Sequence, residues 1–239
     1  MNVSVILPTY NEKENIEDLI RALEECLLPL GGAGEIIVVD DNSPDGTAAV
    51  VQSLQALPGV QVSCYVRTSE RGLATAIRYG IERAAGDRIV VMDTDFNHDP
   101  YLIPQMAQEL DHYDVIIGSR YVKNGGMEDR VRNLLSGIYN IFLRFFLGMP
   151  TNDNLSGFFA IRKECLKPMN KDVIFTGYGE YFIRLLYAAR RRGYRLHEIP
   201  VFYKLRQHGS SKSQFGHMLY DYTLCALVLR FKTPDLFVS

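Results

Sequence analysis

Short β-branched runs alternating with amphipathic segments through the first half of the chain constrain its fold more than any other feature. Val3 to Leu7 is an apolar run ended by Pro8; Ile36 to Val39, Val60 to Val66, Ile89 to Met92 and Val115 to Ile117 follow. Runs of this length without polar alternation suit strands covered on both faces. Between the first two, Ile16, Leu19, Ile20, Leu23 and Leu27 recur at helical spacing, and Asn11 with Glu14 reads as a capping box opening that helix. Thr47 to Leu57, Gly72 to Ala85 and a stretch opened by Asp99-Pro100 and running to Leu110 supply further helices. The alternation predicts an α/β fold, a mostly parallel sheet with helices on both faces. Ligands of such sheets bind beyond the carboxyl ends of the strands, where Pro8, Asp41, Asp95 and Arg120 fall.

The second half is less regular. Arg130 to Leu147 reads as an amphipathic helix with Ile138, Ile141, Phe142, Phe145 and Phe146 on one side, a stripe that suits core or lipid alike. Ser156 to Ile161 reads as a strand, Glu180 to Arg192 as a helix whose end, Arg190-Arg191-Arg192, favours the helix dipole. Leu196 to Leu205 is strand-like, interrupted by Pro200. Phe215, Met218, Leu219, Tyr222, Leu227, Leu229 and Phe231 mark a C-terminal helix, expected to be amphipathic and to lie at an interface or dock a partner. No repeat or linker divides the chain, so residues 1–239 are expected to form one domain.

Composition narrows the function. A net charge of −2 gives no general basic field, so nucleic acid is not an expected partner. Cys26, Cys64, Cys165 and Cys225 lack CxxC spacing and read as reduced thiols of a cytosolic protein. The N-terminus enters a strand pattern directly, without the basic region and long apolar core of a signal peptide. No apolar run approaches the roughly 20 residues that span a bilayer. Gly-x-Ser-x-Gly, P-loop and Gly-x-Gly-x-x-Gly patterns are absent from the sequence, which disfavours hydrolase, NTPase and dehydrogenase chemistry.

The residues that carry chemistry sit at strand ends. Asp93-Thr94-Asp95 follows the run Arg88 to Met92, and two carboxylates so placed repel unless they hold a cation. Their oxygens suit a hard divalent ion that also binds phosphate, with Asn97, His98 and Asp99 as further potential ligands. Asp40-Asp41 ends another strand; Asp41 is expected to accept hydrogen bonds from a nucleobase or ribose, Asp40 to be structural. Tyr10 is placed to stack on a base. Arg206 and Lys212 flank Gly209-Ser210-Ser211, a loop suited to closing over phosphates.

These residues, taken together, resemble the GT-A glycosyltransferases of family 2, and within them the dolichyl-phosphate mannose synthase type. The matching stretches are Val5 to Glu12, Val38 to Thr47, Arg71 to Ala76, Val91 to Asp95, Gly118 to Val122, Ser156 to Ala160 and Arg206 to Lys212. The resemblance implies a Rossmann-like sheet, a nucleotide-sugar-binding half (1–122), an acceptor half (123–212) and an interfacial or docking helix (213–239). It implies that Pro8, Tyr10, Glu12, Val39 and Asp41 hold the nucleoside, and that Asp93, Thr94 and Asp95 meet its diphosphate. Asp93, Asp95 and Asn97 would ligate Mg2+ or Mn2+; relatives often carry Gln at the Asn97 position, one methylene longer. Asp95, Arg120 and Arg132 would be catalytic, the arginines binding the acceptor phosphate, while Arg206 and Lys212 contact the donor. The implied reaction is inverting hexosyl transfer, GDP-mannose to polyprenyl phosphate. Alternatives are UDP-glucose or another donor with a lipid-phosphate or saccharide acceptor, and a non-catalytic nucleotide-binding subunit. The implied location is cytoplasmic, peripheral at the cytoplasmic face of a membrane, through a bilayer surface or a membrane subunit. Many relatives continue into membrane-spanning segments, which this sequence lacks.

Overall fold

A computed structural model describes residues 1–31, 34–54, 60–204 and 215–232, with the backbone alone for 215–217. The elements run β1 (Val3–Thr9), α1 (Lys13–Leu27), β2 (Gly34–Asp40), α2 (Thr47–Ser53), β3 (Val60–Val66), α3 (Leu73–Arg83), β4 (Arg88–Val91), α4 (Ile103–Glu109), β5 (Val115–Ser119) and β6 (Gly126–Met127). They continue with α5 (Arg130–Leu147), β7 (Phe159–Arg162), α6 (Lys163–Leu166), α7 (Lys171–Ile174), α8 (Glu180–Arg191), β8 (Leu196–Pro200), β9 (Phe202–Tyr203) and α9 (Phe215–Phe231).

The main sheet has seven strands in the order β3-β2-β1-β4-β7-β5-β8. Its strands are parallel except β7, which runs antiparallel to both β4 and β5. The sheet is therefore mostly parallel, as the alternation predicts. The reversal of β7 brings the segment before it, Ser156-Gly157-Phe158, to the same edge as the carboxyl ends of β4 and β5. Period-two pleating sends Val5, Leu7, Ile36, Val38 and Val90 to one face, against α1 and α4. It sends Ile6, Ile37, Val39, Ile89 and Val91 to the other, against α3 and α8. Contact on that face is close at Gly80 of α3, where a Cβ would stand 2.6 Å from Ile6 Cγ2.

Several local expectations change. α1 starts at Lys13, and Asn11 is no cap: it sits at φ 56°, and its N–H donates to Ser43 Oγ. The amides of Glu12 and Lys13 donate instead to Thr47 Oγ1 and Asp45 Oδ2, so the β2–α2 loop caps α1 from outside. A long-range cap of this kind leaves no pattern in adjacent sequence. α2 ends at Ser53, and the remainder of the stretch expected to reach Leu57 lies outside the described residues beyond Leu54. β8 ends at Pro200, after which β9 leaves the main sheet to pair with β6; Leu205 lies outside the described residues.

α9 is helical as expected but is not amphipathic. Tyr222, Cys225, Ala226 and Leu229 face the core, while Leu219, Leu224, Leu227 and Phe231 face solvent, so both sides are apolar. No helix among the described residues is long and apolar enough to cross a membrane.

Candidate active site

Two cavities open beyond the carboxyl edge of the sheet. The first, of about 380 Å³, is lined by Pro8, Thr9, Tyr10 and Glu12 after β1, by Asp41 after β2, and by Asp93, Thr94 and Asp95 after β4. Arg71, Gly72, Leu73 and Ala76 at the start of α3, with Tyr178 before α8, complete it. The structure thus brings together seven of the expected residues: Pro8, Tyr10, Glu12, Asp41, Asp93, Thr94 and Asp95. Val39 is not among them. Its side chain is wholly buried on the α3 side of β2, so it can only support the cavity from beneath.

Asp41 is placed as expected but its carboxylate is already engaged. Arg67 donates to Oδ1 through Nε at 2.8 Å and through Nη2, and the Gly72 amide donates to Oδ2 at 2.7 Å. Asp41 therefore fixes the loop that carries Arg71 and Gly72, and a ligand would have to share its oxygens. Tyr10 is over a third exposed, with the Arg71 guanidinium 5.8 Å from its ring centroid. Tyr10 thus presents an aromatic ring beside a cation at the mouth of the cavity. Asp40 accepts from the Ser43 amide at 2.8 Å and from its hydroxyl, and holds the turn.

The acidic pair is built by the turn that follows β4. Phe96 has φ 58°, an uncommon value for a bulky side chain, and reverses the chain beneath the carboxylates. Asp93 is half-exposed, whereas Asp95 is 2 % exposed. His98, fully buried, accepts the Asp93 amide proton on Nδ1 at 2.9 Å and stacks on Phe158 at 4.8 Å. Burial pushes its pKa down to about 4, so it is a neutral prop beneath Asp93. Asn97 donates its backbone and side-chain N–H groups to Asp95, at 3.1 and 2.8 Å. Its amide is thus turned onto Asp95, and Asn97 does not line the cavity.

The donor set fits a hard divalent ion. Two carboxylates one residue apart line the same cavity, and their donor atoms are oxygens. No cluster of three or more His, Cys, Asp or Glu is present among the described residues, so other positions of such an ion would fall to ligand oxygens and water.

The second cavity, a groove of about 430 Å³, is headed by Arg120 and Arg132 and walled by α5 and α9 through Leu135, Ile138, Tyr139, Met218, Leu219 and Tyr222. Ser136 and Leu155 also line it. Arg132, in the first turn of α5, is exposed. Arg120 is not the freely solvated cation that its position at a strand end implies. It is 6 % exposed, and Asp153, wholly buried, accepts from its backbone N–H, Nε and Nη2 at 3.0, 2.8 and 2.8 Å. Burial alone would weaken the charge, but the Asp153 carboxylate overrides it and holds the guanidinium pKa above its usual value. Arg206 and Lys212 lie outside the described residues.

Sequence reasoning missed Arg67, Asp153 and Tyr178. Arg67 follows directly on the β3 run, at the same edge as the other strand ends, and that position was the available signal. Asp153 and Tyr178 sit in irregular segments where periodicity is silent.

A mostly parallel sheet, with an Asp-x-Asp pair beyond β4 and a nucleotide-sized cavity above it, defines the GT-A class of fold. The family model for Glycosyl transferase family 2 matches residues 4–169, and the chain belongs to that family. It is 38 % identical over 228 residues to dolichol-phosphate mannosyltransferase of Pyrococcus furiosus, a match covering 93 % of this chain and 62 % of that protein. The chain therefore spans less than two thirds of that relative. It is 32 % identical to undecaprenyl-phosphate mannosyltransferase of Micrococcus luteus, covering 90 % of this chain and 89 % of the other. Glucosyl-3-phosphoglycerate synthase from Mycobacterium tuberculosis, solved with Mn2+, UDP and glucosyl-3-phosphoglycerate, superposes with TM-score 0.67 at 20 % identity, covering 96 % of this chain and 79 % of that one. That likeness concerns the fold.

Proposed function

We propose that this chain transfers a mannosyl group from GDP-mannose to a polyprenyl phosphate at the cytoplasmic surface of a membrane. The observation that carries this reading is the pairing of two unlike cavities on one edge of the sheet. One carries the carboxylates of Glu12, Asp41, Asp93 and Asp95; the other is walled mainly by apolar side chains and headed by Arg120 and Arg132. A nucleoside diphosphate sugar suits the first, and a phosphate carrying a hydrocarbon tail suits the second. The names of the relatives from Pyrococcus furiosus and Micrococcus luteus support mannose as the sugar and a polyprenyl phosphate as the acceptor. GDP follows as the usual carrier of activated mannose.

A phosphate monoester is anionic near neutral pH, so the nucleophile needs no strong general base. Its oxygen attacks the anomeric carbon as the bond from that carbon to the donor diphosphate breaks, and the nucleoside diphosphate leaves with the bonding electrons. Arg132 and the Arg120 nitrogen not used on Asp153 would hold the nucleophile in line. Tyr10 and Arg71 would clasp the base, with Glu12 and Asp41 beside the ribose. Asp93 and Asp95 would hold Mg2+ or Mn2+, which when bound offsets charge on the departing diphosphate. Arg206 and Lys212 would add to that from the late loop. A single displacement of this kind inverts the anomeric centre.

The membrane part rests on exposed apolar side chains beside the groove. Val131, Leu134, Ile138, Ile141 and Phe145 of α5 and Leu224, Leu227 and Phe231 of α9 face solvent, Phe145 at 86 % exposure. Exposure of this extent suits the headgroup boundary of the bilayer in which the acceptor lies.

Transfer of labelled sugar from GDP-mannose and from UDP-glucose, in separate tubes with a short polyprenyl phosphate and Mg2+ or Mn2+, tests the reading. The expected result is organic-extractable label from GDP-mannose that EDTA abolishes. Label from UDP-glucose alone would replace the donor. Nucleotide binding without extractable label from either would reject lipid phosphate as the acceptor.

A further inference from the structure

The segment before α8 meets both cavities. Tyr178 lines the first, together with Asp93, Thr94 and Asp95, and is 41 % exposed. Its neighbour Gly179 packs against the Tyr222 hydroxyl, which a Cβ there would overlap, and Tyr222 lines the groove. The turn Gly177-Tyr178-Gly179 is thus part of the partition between the two.

That turn is held from α8. Glu180, the first residue of the helix, is buried, and its Oε2 accepts the Tyr178 amide at 3.0 Å. Its Oε1 pairs with Arg184 Nη2 at 3.5 Å. Arg184 Nη1 donates in turn to the carbonyls of Ile174 and Thr176, at 3.3 and 2.8 Å, so one guanidinium ties the approach to the turn to the same carboxylate. Gly177 completes the clamp: it sits at φ 74°, and a Cβ there would overlap the Glu180 carboxylate. A buried carboxylate so close to two substrate-sized cavities has the chemistry of a general base, but both oxygens of Glu180 are engaged in holding the turn.

We infer that Tyr178 forms a wall of the subsite for the transferred hexose, and that Glu180 is the positioning residue that holds it there, not a general base. The inference rests on the reading of the two cavities as donor and acceptor sites. On that reading the anomeric carbon is bonded first to a diphosphate in one cavity and then to a phosphate in the other, so the sugar lies where the two meet. A hexose presents C–H bonds on its ring faces and hydroxyls around its edge, and a tyrosine answers both with an apolar ring and a polar tip. Because the backbone of the turn is already held, little ordering is left for the sugar to impose on it.

The test measures binding of GDP-mannose and of GDP, each with Mn2+, and kcat for transfer, on the unaltered protein, Tyr178→Ala, Glu180→Ala and Glu180→Gln. Tyr178→Ala is expected to weaken GDP-mannose by about three- to tenfold, the scale of one aromatic packing contact, and to leave GDP and Tm nearly unaltered. Equal weakening of both ligands, or of neither, overturns the role of Tyr178. Glu180→Ala releases the turn and should show the same sugar-specific loss. Glu180→Gln keeps an oxygen for the Tyr178 amide and should recover most of it. A kcat lowered by about a hundredfold or more in Glu180→Gln, with GDP-mannose binding intact, would make Glu180 a general base and overturn its assignment. If Glu180→Ala does not fold, the Gln variant alone decides between the two roles. Failure of the unaltered protein to bind GDP-mannose would fell the donor reading itself, and the inference with it, whatever the variants do.

Discussion

Arg120 can be buried because Asp153 meets it with matched geometry, two side-chain nitrogens on two carboxylate oxygens. The carboxylate is itself held in place, since Glu198 accepts the Asp153 amide at 2.9 Å and both amides of Asn152. Removing one partner of such a pair leaves a buried charge uncompensated. Asp153→Ala is therefore expected to destabilise the protein by about 3–5 kcal/mol, measured by denaturant unfolding, whereas Arg132→Ala should leave stability nearly unaltered because Arg132 is exposed. Equal stability of Asp153→Ala and the parent would mean that Arg120 finds solvent or another partner. Residue type and strand-end position made Arg120 legible as a candidate. Its ionic partner was not legible, because the two meet only when β5 and the segment before β7 are brought together across 33 positions. Asp93 and Asp95 were legible for the opposite reason: both follow one strand, so sequence adjacency already places them side by side. The turn of Asn97 onto Asp95 depends on backbone angles at Phe96 that the sequence does not announce.

Among the elements, β1 to β5 and the helices between them follow from apolar periodicity, because each is covered on a known side by its neighbours in the chain. Strand direction does not follow from it: β7 has the same apolar character as β4 yet runs the other way. The stripe on α5 was ambiguous between core and lipid, and the structure exposes Ile138, Ile141, Phe142 and Phe145 while Phe146 packs partly buried on the core. The helix's fully buried contacts come from residues outside the stripe, among them Leu143 and Leu147. Phe231, 70 % exposed at the end of α9, lies 6.0 Å from Phe146 in ring-to-ring distance and extends the same apolar surface. Replacing Phe145 and Phe231 together with Ser should scarcely alter Tm, since neither side chain is buried. If the surface enters a bilayer, each lost phenyl removes about 1.5–3 kcal/mol of transfer free energy at full insertion. Partitioning onto anionic vesicles of native-like composition is then expected to fall by tenfold or more. Unchanged vesicle binding would assign the surface to a protein partner or a second copy.

At the scale of the whole molecule, one edge of the sheet serves both cavities, and it is assembled from segments distant in sequence. The first cavity draws on the ends of β1, β2 and β4; the groove draws on the end of β5, α5 and α9. A ligand that fills the first cavity therefore joins elements separated by most of the domain, and its binding should be read as stability of the fold. At a ligand concentration a hundredfold above Kd the gain is about 2.7 kcal/mol, which for a domain of this size raises Tm by roughly 5–10 °C. GDP with Mn2+ is expected to produce such a shift, GDP with EDTA a smaller one, and Mn2+ alone very little, because two carboxylates without phosphate oxygens make an incomplete site. Asp95→Asn should keep the GDP shift and lose its Mn2+-dependent part, since Asn retains the shape and one acceptor oxygen for Asn97 but not the charge. An Mn2+-dependent increment that survives in Asp95→Asn would mean that the ion is held elsewhere. The acidic pair would then be an element of the turn after β4, with Asp95 anchoring Asn97 and His98 anchoring the Asp93 amide.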